Sequence, residues 1–271
     1  MEHSGSSRKH YSSGNYNVQV LSDETRQVFN VGGKKHGCVS IEVYSDRQKM
    51  RNPKDAYIRS IVYHENCNKS GTLESGDGTR QMIGFSLSIV KQFCPWVERF
   101  LFRDASSKTC NTGTEIRLAY MYIALYGKTW YERHFGAKLL DREDTYIHLL
   151  KKLKSKRFKS ASKYEIFSRA FGIKFDPDVK KMFEDSGTFR EFFISLSTQF
   201  SKEKTCNLLI GWIERFIDDI VFENQGIIDG TWFIDGIESK GYVLSEIPDE
   251  EYFQKGGVEF LSNSVRLDRL L

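Results

Sequence analysis

In the first quarter of the chain, apolar and polar residues take turns. Val18-Gln19-Val20-Leu21 alternates weakly, Gln27-Val28-Phe29-Asn30-Val31 alternates, and Cys38-Val39-Ser40-Ile41-Glu42-Val43-Tyr44 alternates well. Successive side chains of a strand point to opposite faces, so each segment predicts a strand with one face on a core. Tyr57-Ile58-Arg59-Ser60-Ile61-Val62-Tyr63 is the fourth candidate, with turn signals at Gly32-Gly33-Lys34-Lys35 and Arg51-Asn52-Pro53-Lys54-Asp55. Residues 1–15 are polar and rich in Ser and Gly, and read as a flexible tail.

The period then changes. Residues 66–77 form a polar, glycine-containing loop, after which Met82, Ile83, Leu87 and Val90 recur at helical spacing. They predict a helix over residues 79–93, ended by Pro95. Val97-Glu98-Arg99-Phe100-Leu101-Phe102 is another strand, closed by Arg103-Asp104-Ala105-Ser106-Ser107, which reads as a capping loop. A helical stretch follows over residues 115–134, bent near Gly127. Strand, glycine loop, helix, strand, helix is the order of a mixed α/β sheet with a parallel or splayed crossover. Beyond Leu140 the pattern is mainly helical, over residues 145–156, 163–171, 178–184, 188–200 and 202–222. The last of these places Leu208, Leu209, Trp212, Ile213, Phe216, Ile217 and Ile220 on one broad face. Thr231-Trp232-Phe233-Ile234 returns to a short strand.

Composition narrows the class. Of 271 residues, 39% are hydrophobic and 14% aromatic, enough for a sizeable core. No apolar run approaches the ~18 residues of a membrane helix, and the opening residues lack the apolar stretch of a secretory signal. Five cysteines, Cys38, Cys67, Cys94, Cys110 and Cys206, stand far apart with no CxxC pair. That argues against a disulfide scaffold and a zinc knuckle, and favours a reducing, cytoplasmic setting without a metal. The net charge of +4 is too mild to imply nucleic acid by itself. The basic run Lys151, Lys152, Lys154, Lys156, Arg157 and Lys159 could contact phosphates or an acidic partner, or simply be a solvated face.

The chemistry concentrates in two segments. Leu73-Glu74-Ser75-Gly76-Asp77-Gly78-Thr79-Arg80 precedes a helix, where free backbone N–H groups and the helix dipole favour an anion, especially a pyrophosphate. A surface loop capped by Thr79 would carry the same residues. The second segment is Trp130-Tyr131-Glu132-Arg133-His134-Phe135-Gly136. Read together, they resemble the GNAT superfamily of acyl-CoA N-acyltransferases over residues 58–140. In that family a glycine loop after a strand holds the CoA pyrophosphate, a helix and a splayed strand follow, and a later helix ends in an aromatic-Tyr-Glu-basic signature. The chain departs from the pattern at Leu73, where the family has Arg or Gln, and at Phe135-Gly136, which inverts the closing Gly-Phe.

The resemblance implies a GNAT-like mixed, splayed sheet with flanking helices, extended by a mainly helical C-terminal region. The domains would be a tail over residues 1–15, an α/β domain over 16–142 and the extension over 143–271. It implies acetyl-CoA as co-substrate, held by Gly76, Asp77, Gly78, Thr79 and Arg80, with an amine acceptor that the residues do not name. Tyr131 would protonate the leaving thiolate, as a phenol protonated at neutral pH can, and His64 or Glu65, at a strand end, would take the amine proton. A packed aromatic and an ordinary strand end are the bland readings of those residues. The alternative functions are a non-catalytic GNAT-like assembly protein, such as a component of a large DNA virus particle, which the abundance of Tyr, Phe, Lys and Asn suits, and a nucleic-acid-binding protein using residues 151–159.

Overall fold

The computed structural model describes residues 6–33, 37–45, 51–154 and 163–248. The chain opens with β1 (Ser7–Ser13) and β2 (Tyr16–Ser22), a hairpin around Gly14-Asn15 in which Gly14 takes a φ of +49°. Glycine at the first position of a two-residue hairpin turn adopts that angle without a Cβ clash. Residues 7–13 of the expected tail are therefore a strand. Its ladder is made by the backbone, and the serines hide it from an alternation test. The meander continues through β3 (Arg26–Gly32), β4 (Gly37–Tyr44) and β5 (Asp55–Ile61), each antiparallel to the one before. Helix α1 (Asp77–Phe93) then carries the chain to β6 (Arg99–Arg103), which lies parallel to β5.

A hairpin of β7 (Ser107–Thr109) and β8 (Glu115–Arg117) follows, then α2 (Leu118–Tyr126), α3 (Trp130–Phe135), β9 (Lys138–Leu139) and α4 (Glu143–Leu150). Next come α5 (Tyr164–Phe171), α6 (Pro177–Asp185), α7 (Phe189–Gln199), α8 (Lys202–Leu209) and the short α9 (Ile213–Phe216). Strand β10 (Thr231–Ile234) pairs with β9, and β11 (Ser245–Ile247) returns to pair with β1. The structure divides into two compact units, residues 1–102 with 234–271, and residues 103–233, where the sequence suggested a boundary after 142.

In the first unit the strand order is β11-β1-β2-β3-β4-β5-β6. Helix α1 buries Met82, Ile83, Leu87, Ile89 and Val90 and packs on β3 and β4. The segment before β11 crosses the helix. The Lys240 amide donates to Ser88 Oγ at 2.8 Å, Gln92 Nε2 donates to the Tyr242 carbonyl at 2.9 Å, and the Tyr242 ring lies 4.7 Å from that of Phe85. Gly33 sits where two loops touch: a Cβ there would stand 1.9 Å from the Asn66 carbonyl oxygen and 2.5 Å from that of Asn68. Both neighbours are backbone, so neither can swing away. Gly33→Ala is expected to destabilise by about 1–3 kcal/mol in a urea titration, the range for overpacking a well-filled site.

The second unit has an aromatic core. Phe167, Phe183, Phe189, Phe192, Phe193 and Phe216 are all essentially inaccessible. The expected helix over residues 202–222 is broken. Gly211, at φ +81°, ends α8, and α9 runs on into a π-helical turn, Ile217–Val221. The long helix expected over 115–134 likewise becomes β8, α2 and α3. Gly127, in the left-handed conformation, stops α2, and Thr129 caps α3.

Four of the five cysteines are joined, against the expectation of free thiols. Cys38 pairs with Cys67 and Cys110 with Cys206, with Cα–Cα distances of 5.7 and 5.9 Å that suit disulfides. Cys94 is buried and free, and burial pushes its thiol up to about 12.

Candidate functional site

In the first unit the chemistry gathers where β5 and β6 part. Their parallel pairing covers Asp55↔Arg99, Ala56↔Phe100 and Tyr57↔Leu101, and stops there. On its other side β5 carries a bulge: Ser40 faces Ser60 while Ile41 faces Ile58, which leaves Arg59 as the extra residue. A bulge bends its strand and sharpens the twist, and bulges recur beside active sites. The bend falls just past the last rung with β6, so the β5–β6 ladder does not extend to residues 58–61. Arg59 is held by the buried Glu42 at 3.2 Å, which Arg26 also grips at 2.6 Å.

Helix α1 follows β5 in the chain, after the segment 62–76. Gly76, its N-cap, has φ +87° and gives no side-chain cap. The N–H groups of the first turn have no intrahelical partner, and nothing stands within 4 Å of where a Gly76 Cβ would be. The expected cofactor residues Gly76, Asp77, Gly78, Thr79 and Arg80 therefore share one helix entry, with Arg80 3.4 Å from Asp77. Gly78 has a separate reason to be small: its Cβ would meet the buried Leu73 side chain at 3.0 Å. Leu73, where the GNAT pattern has a polar residue, is thus a packing residue. The structure gives His64 and Glu65 structural work. His64 Nδ1 accepts from the Asn66 N–H at 3.1 Å as cap of a short helical turn, and the Glu65 carbonyl accepts from the Leu73 N–H at 2.9 Å.

Tyr131 belongs to the second unit. It is nine-tenths buried, and burial, with a smaller contribution from the charge of Asp104, pushes its hydroxyl well above the ordinary range. Its neighbours in the signature hold α3 together. Glu132 Oε2 accepts from the Thr129 N–H at 2.6 Å and from the Tyr146 hydroxyl, and the Arg133 guanidinium stands 4.1 Å over the Tyr126 ring.

Beside Tyr131, sequence reading passed over a polar network. Asp104 is 3% exposed. Its Oδ1 accepts from the Ser106 N–H at 3.2 Å and the Ser106 hydroxyl at 2.5 Å, while its buried Oδ2 has no hydrogen-bond partner. Arg117 donates to the Asp104 carbonyl at 3.2 Å and to Asp229 at 2.9 Å, and the Tyr120 hydroxyl donates to Asp218, on the π-helical turn, at 2.9 Å. Burial raises the carboxyls of Asp104 and Asp218. An acid raised on folding favours the native state fully below its unfolded value, near pH 4, and that contribution is lost as pH rises through the native value. Asp104→Asn removes it. The stability of the variant relative to the parent is therefore expected to improve as pH rises above about 4 and to level off once the native carboxyl has ionised, as urea titrations at several pH values would record.

Of the basic run, Lys151 and Lys154 are exposed and Lys152 reaches Glu223, while Lys156, Arg157 and Lys159 lie outside the described residues. Among the described residues no group of three or more His, Cys, Asp or Glu side chains is placed to hold a metal ion, and no helix is long and apolar enough to cross a membrane. No family model matches the chain, nor does any curated protein or solved structure.

Proposed function

We propose that the protein is an acyl-CoA-dependent N-acetyltransferase that passes acetyl from acetyl-CoA to an amine by direct attack, without an acyl-enzyme. The observation that carries this reading is the parting of β5 from β6 at the Arg59 bulge, followed by the uncapped glycine entry of α1. The amides of residues 76–79, with the exposed Arg80 side chain, would hold the pyrophosphate, whose charge the helix dipole favours. The unladdered edge of β5 would bond the extended pantetheine amides as a neighbouring strand would.

The test is calorimetric titration of acetyl-CoA into the protein and an Arg80→Glu variant. Arg80 is exposed and Glu there places a negative charge at the pyrophosphate without filling the core. Micromolar binding weakened at least about tenfold in the variant is expected, more than one charge-assisted contact. No binding by either protein would sink the reading. A second reading, a GNAT-like assembly protein without catalysis, is favoured by the structural employment of Leu73, His64 and Glu132, and would predict that null titration.

A further inference from the structure

We propose that the second unit binds an organic cation by its primary ammonium group, which the open oxygen of the buried Asp104 accepts and the carboxylates around Arg117 attract. The argument starts from an imbalance of hydrogen bonds. A carboxyl group withdrawn from water normally finds donors for both oxygens. Asp104, 3% exposed, has donors, both from Ser106, for Oδ1 alone. Arg117 turns its Nη2 to the Asp104 main-chain carbonyl and to Asp229, leaving Oδ2 open. An acceptor without a donor at that depth is costly, and a ligand N–H removes the cost.

The charges agree. Among the described residues, Arg117 is the cation that acts on both Asp104 and Asp218. Its amide donates to Glu214 Oε1 at 3.0 Å and its guanidinium to Asp229 at 2.9 Å. Four carboxyl groups, of Asp104, Glu214, Asp218 and Asp229, thus share one guanidinium, and Tyr120 gives Asp218 only a neutral donor. Burial raises the carboxyls of Asp104 and Asp218, and for Asp218 the charges of Asp229 and Glu214 add to it. A bound cation relieves that surplus. Asp218 lies on the π-helical turn, an element that recurs at functional sites. All of these residues belong to the unit 103–233, so the site is complete within it.

The open oxygen also selects among cations. Oδ2 lacks a donor as well as a counter-charge, so the ligand must carry an N–H, which a quaternary ammonium does not. A guanidinium presents its donors as a planar fork matched to both oxygens of a carboxylate, and Ser106 already occupies Oδ1. A primary ammonium is a compact point charge that can give one N–H to Oδ2 alone. Asp229, 68% exposed, sets negative charge at the surface, where an arriving cation meets it first. The inference goes beyond the acetyl-transfer reading and needs neither acetyl-CoA nor any residue of the first unit.

The experiment titrates propylammonium and tetramethylammonium chlorides into the full-length protein by calorimetry at pH 7, without acetyl-CoA, for the parent, Asp104→Asn and Asp229→Asn. Propylammonium is expected to saturate the parent near about 1 mM, as so small a ligand can. Tetramethylammonium, with the charge but no N–H, should bind at least about tenfold more weakly. Asp104→Asn keeps the volume and loses the charge, and should weaken propylammonium at least about tenfold. Asp229→Asn, at the exposed end, should cost about two- to threefold. Urea titration of each variant reports whether it folds. Should Asp104→Asn fail to fold, the preference of the parent for propylammonium over tetramethylammonium still decides. The proposal is overturned if the parent binds no propylammonium, if tetramethylammonium binds as tightly, or if folded Asp104→Asn binds as the parent does. None of these results bears on acetyl-CoA binding, which its own titration reads.

Discussion

Replacing Cys110 and Cys206 together by alanine is expected to lower the unfolding free energy by about 4–5 kcal/mol, from the chain-entropy cost of a loop near 100 residues. The bond closes a loop of 96 residues, so it removes much of the freedom of the unfolded second unit. It also ties the β7–β8 hairpin, which has short strands and little buried surface of its own, to α8. Urea titration of the double variant should show a lower midpoint and a larger slope, because the uncrosslinked unfolded chain exposes more surface. Cys38 and Cys67, 29 residues apart, should give a smaller loss, about 3–4 kcal/mol. Peptide mapping without reductant checks the premise: two linked pairs, with Cys94 alkylated only after unfolding. An unchanged midpoint in the Cys110/Cys206 variant would count against the bond.

The second large effect is at Phe167. Its ring lies within 6.0 Å, centroid to centroid, of Phe171, Phe183, Phe189, Phe192, Trp212 and Phe216, and is stacked on Phe183 at 4.8 Å. Phe167→Ala removes one wall from each of these contacts, and helices from four elements cannot all close on the hole. A loss of about 3–5 kcal/mol is expected, with Phe167→Leu costing less because more of the volume remains. Near-ultraviolet dichroism should weaken with it, since Trp212 loses one of its edge-on neighbours. A loss under about 1 kcal/mol would mean that the helices collapse into the space.

The meander β2 to β5 and helix α1 were legible because their side chains carry the period of the element. The bulge was written in Ile58-Arg59-Ser60-Ile61, where two polar residues in succession break the alternation, yet a one-residue slip says nothing of which neighbour strand departs. β1 was hidden by serines, and β11 by its three-residue length. The helix over 202–222 was overestimated because its apolar face continues across Gly211, whose left-handed backbone ends α8 regardless. The disulfides left no local trace, since strand pairing and helix packing, not spacing, bring their partners together.

The candidate site was legible in one half. The helix entry is a local feature and was readable from Gly76 and Gly78. Asp104 was taken for a capping residue, and Ser106 does satisfy one of its oxygens in just that manner. The open second oxygen depends on the burial of Asp104 in the folded chain, which no stretch of neighbouring residues encodes.

The return of the chain to β1 through β11 has a consequence for synthesis. Along the sequence the second unit interrupts the first, and β1 receives its edge partner only once residues 245–247 have been made. Residues 103–233 carry their own aromatic core and can fold while the N-terminal meander still waits with β1 uncovered. On the ribosome the later-born unit is thus the first to be finished, and a chain that stalls short of Ser245 leaves an unpaired strand on offer to its neighbours.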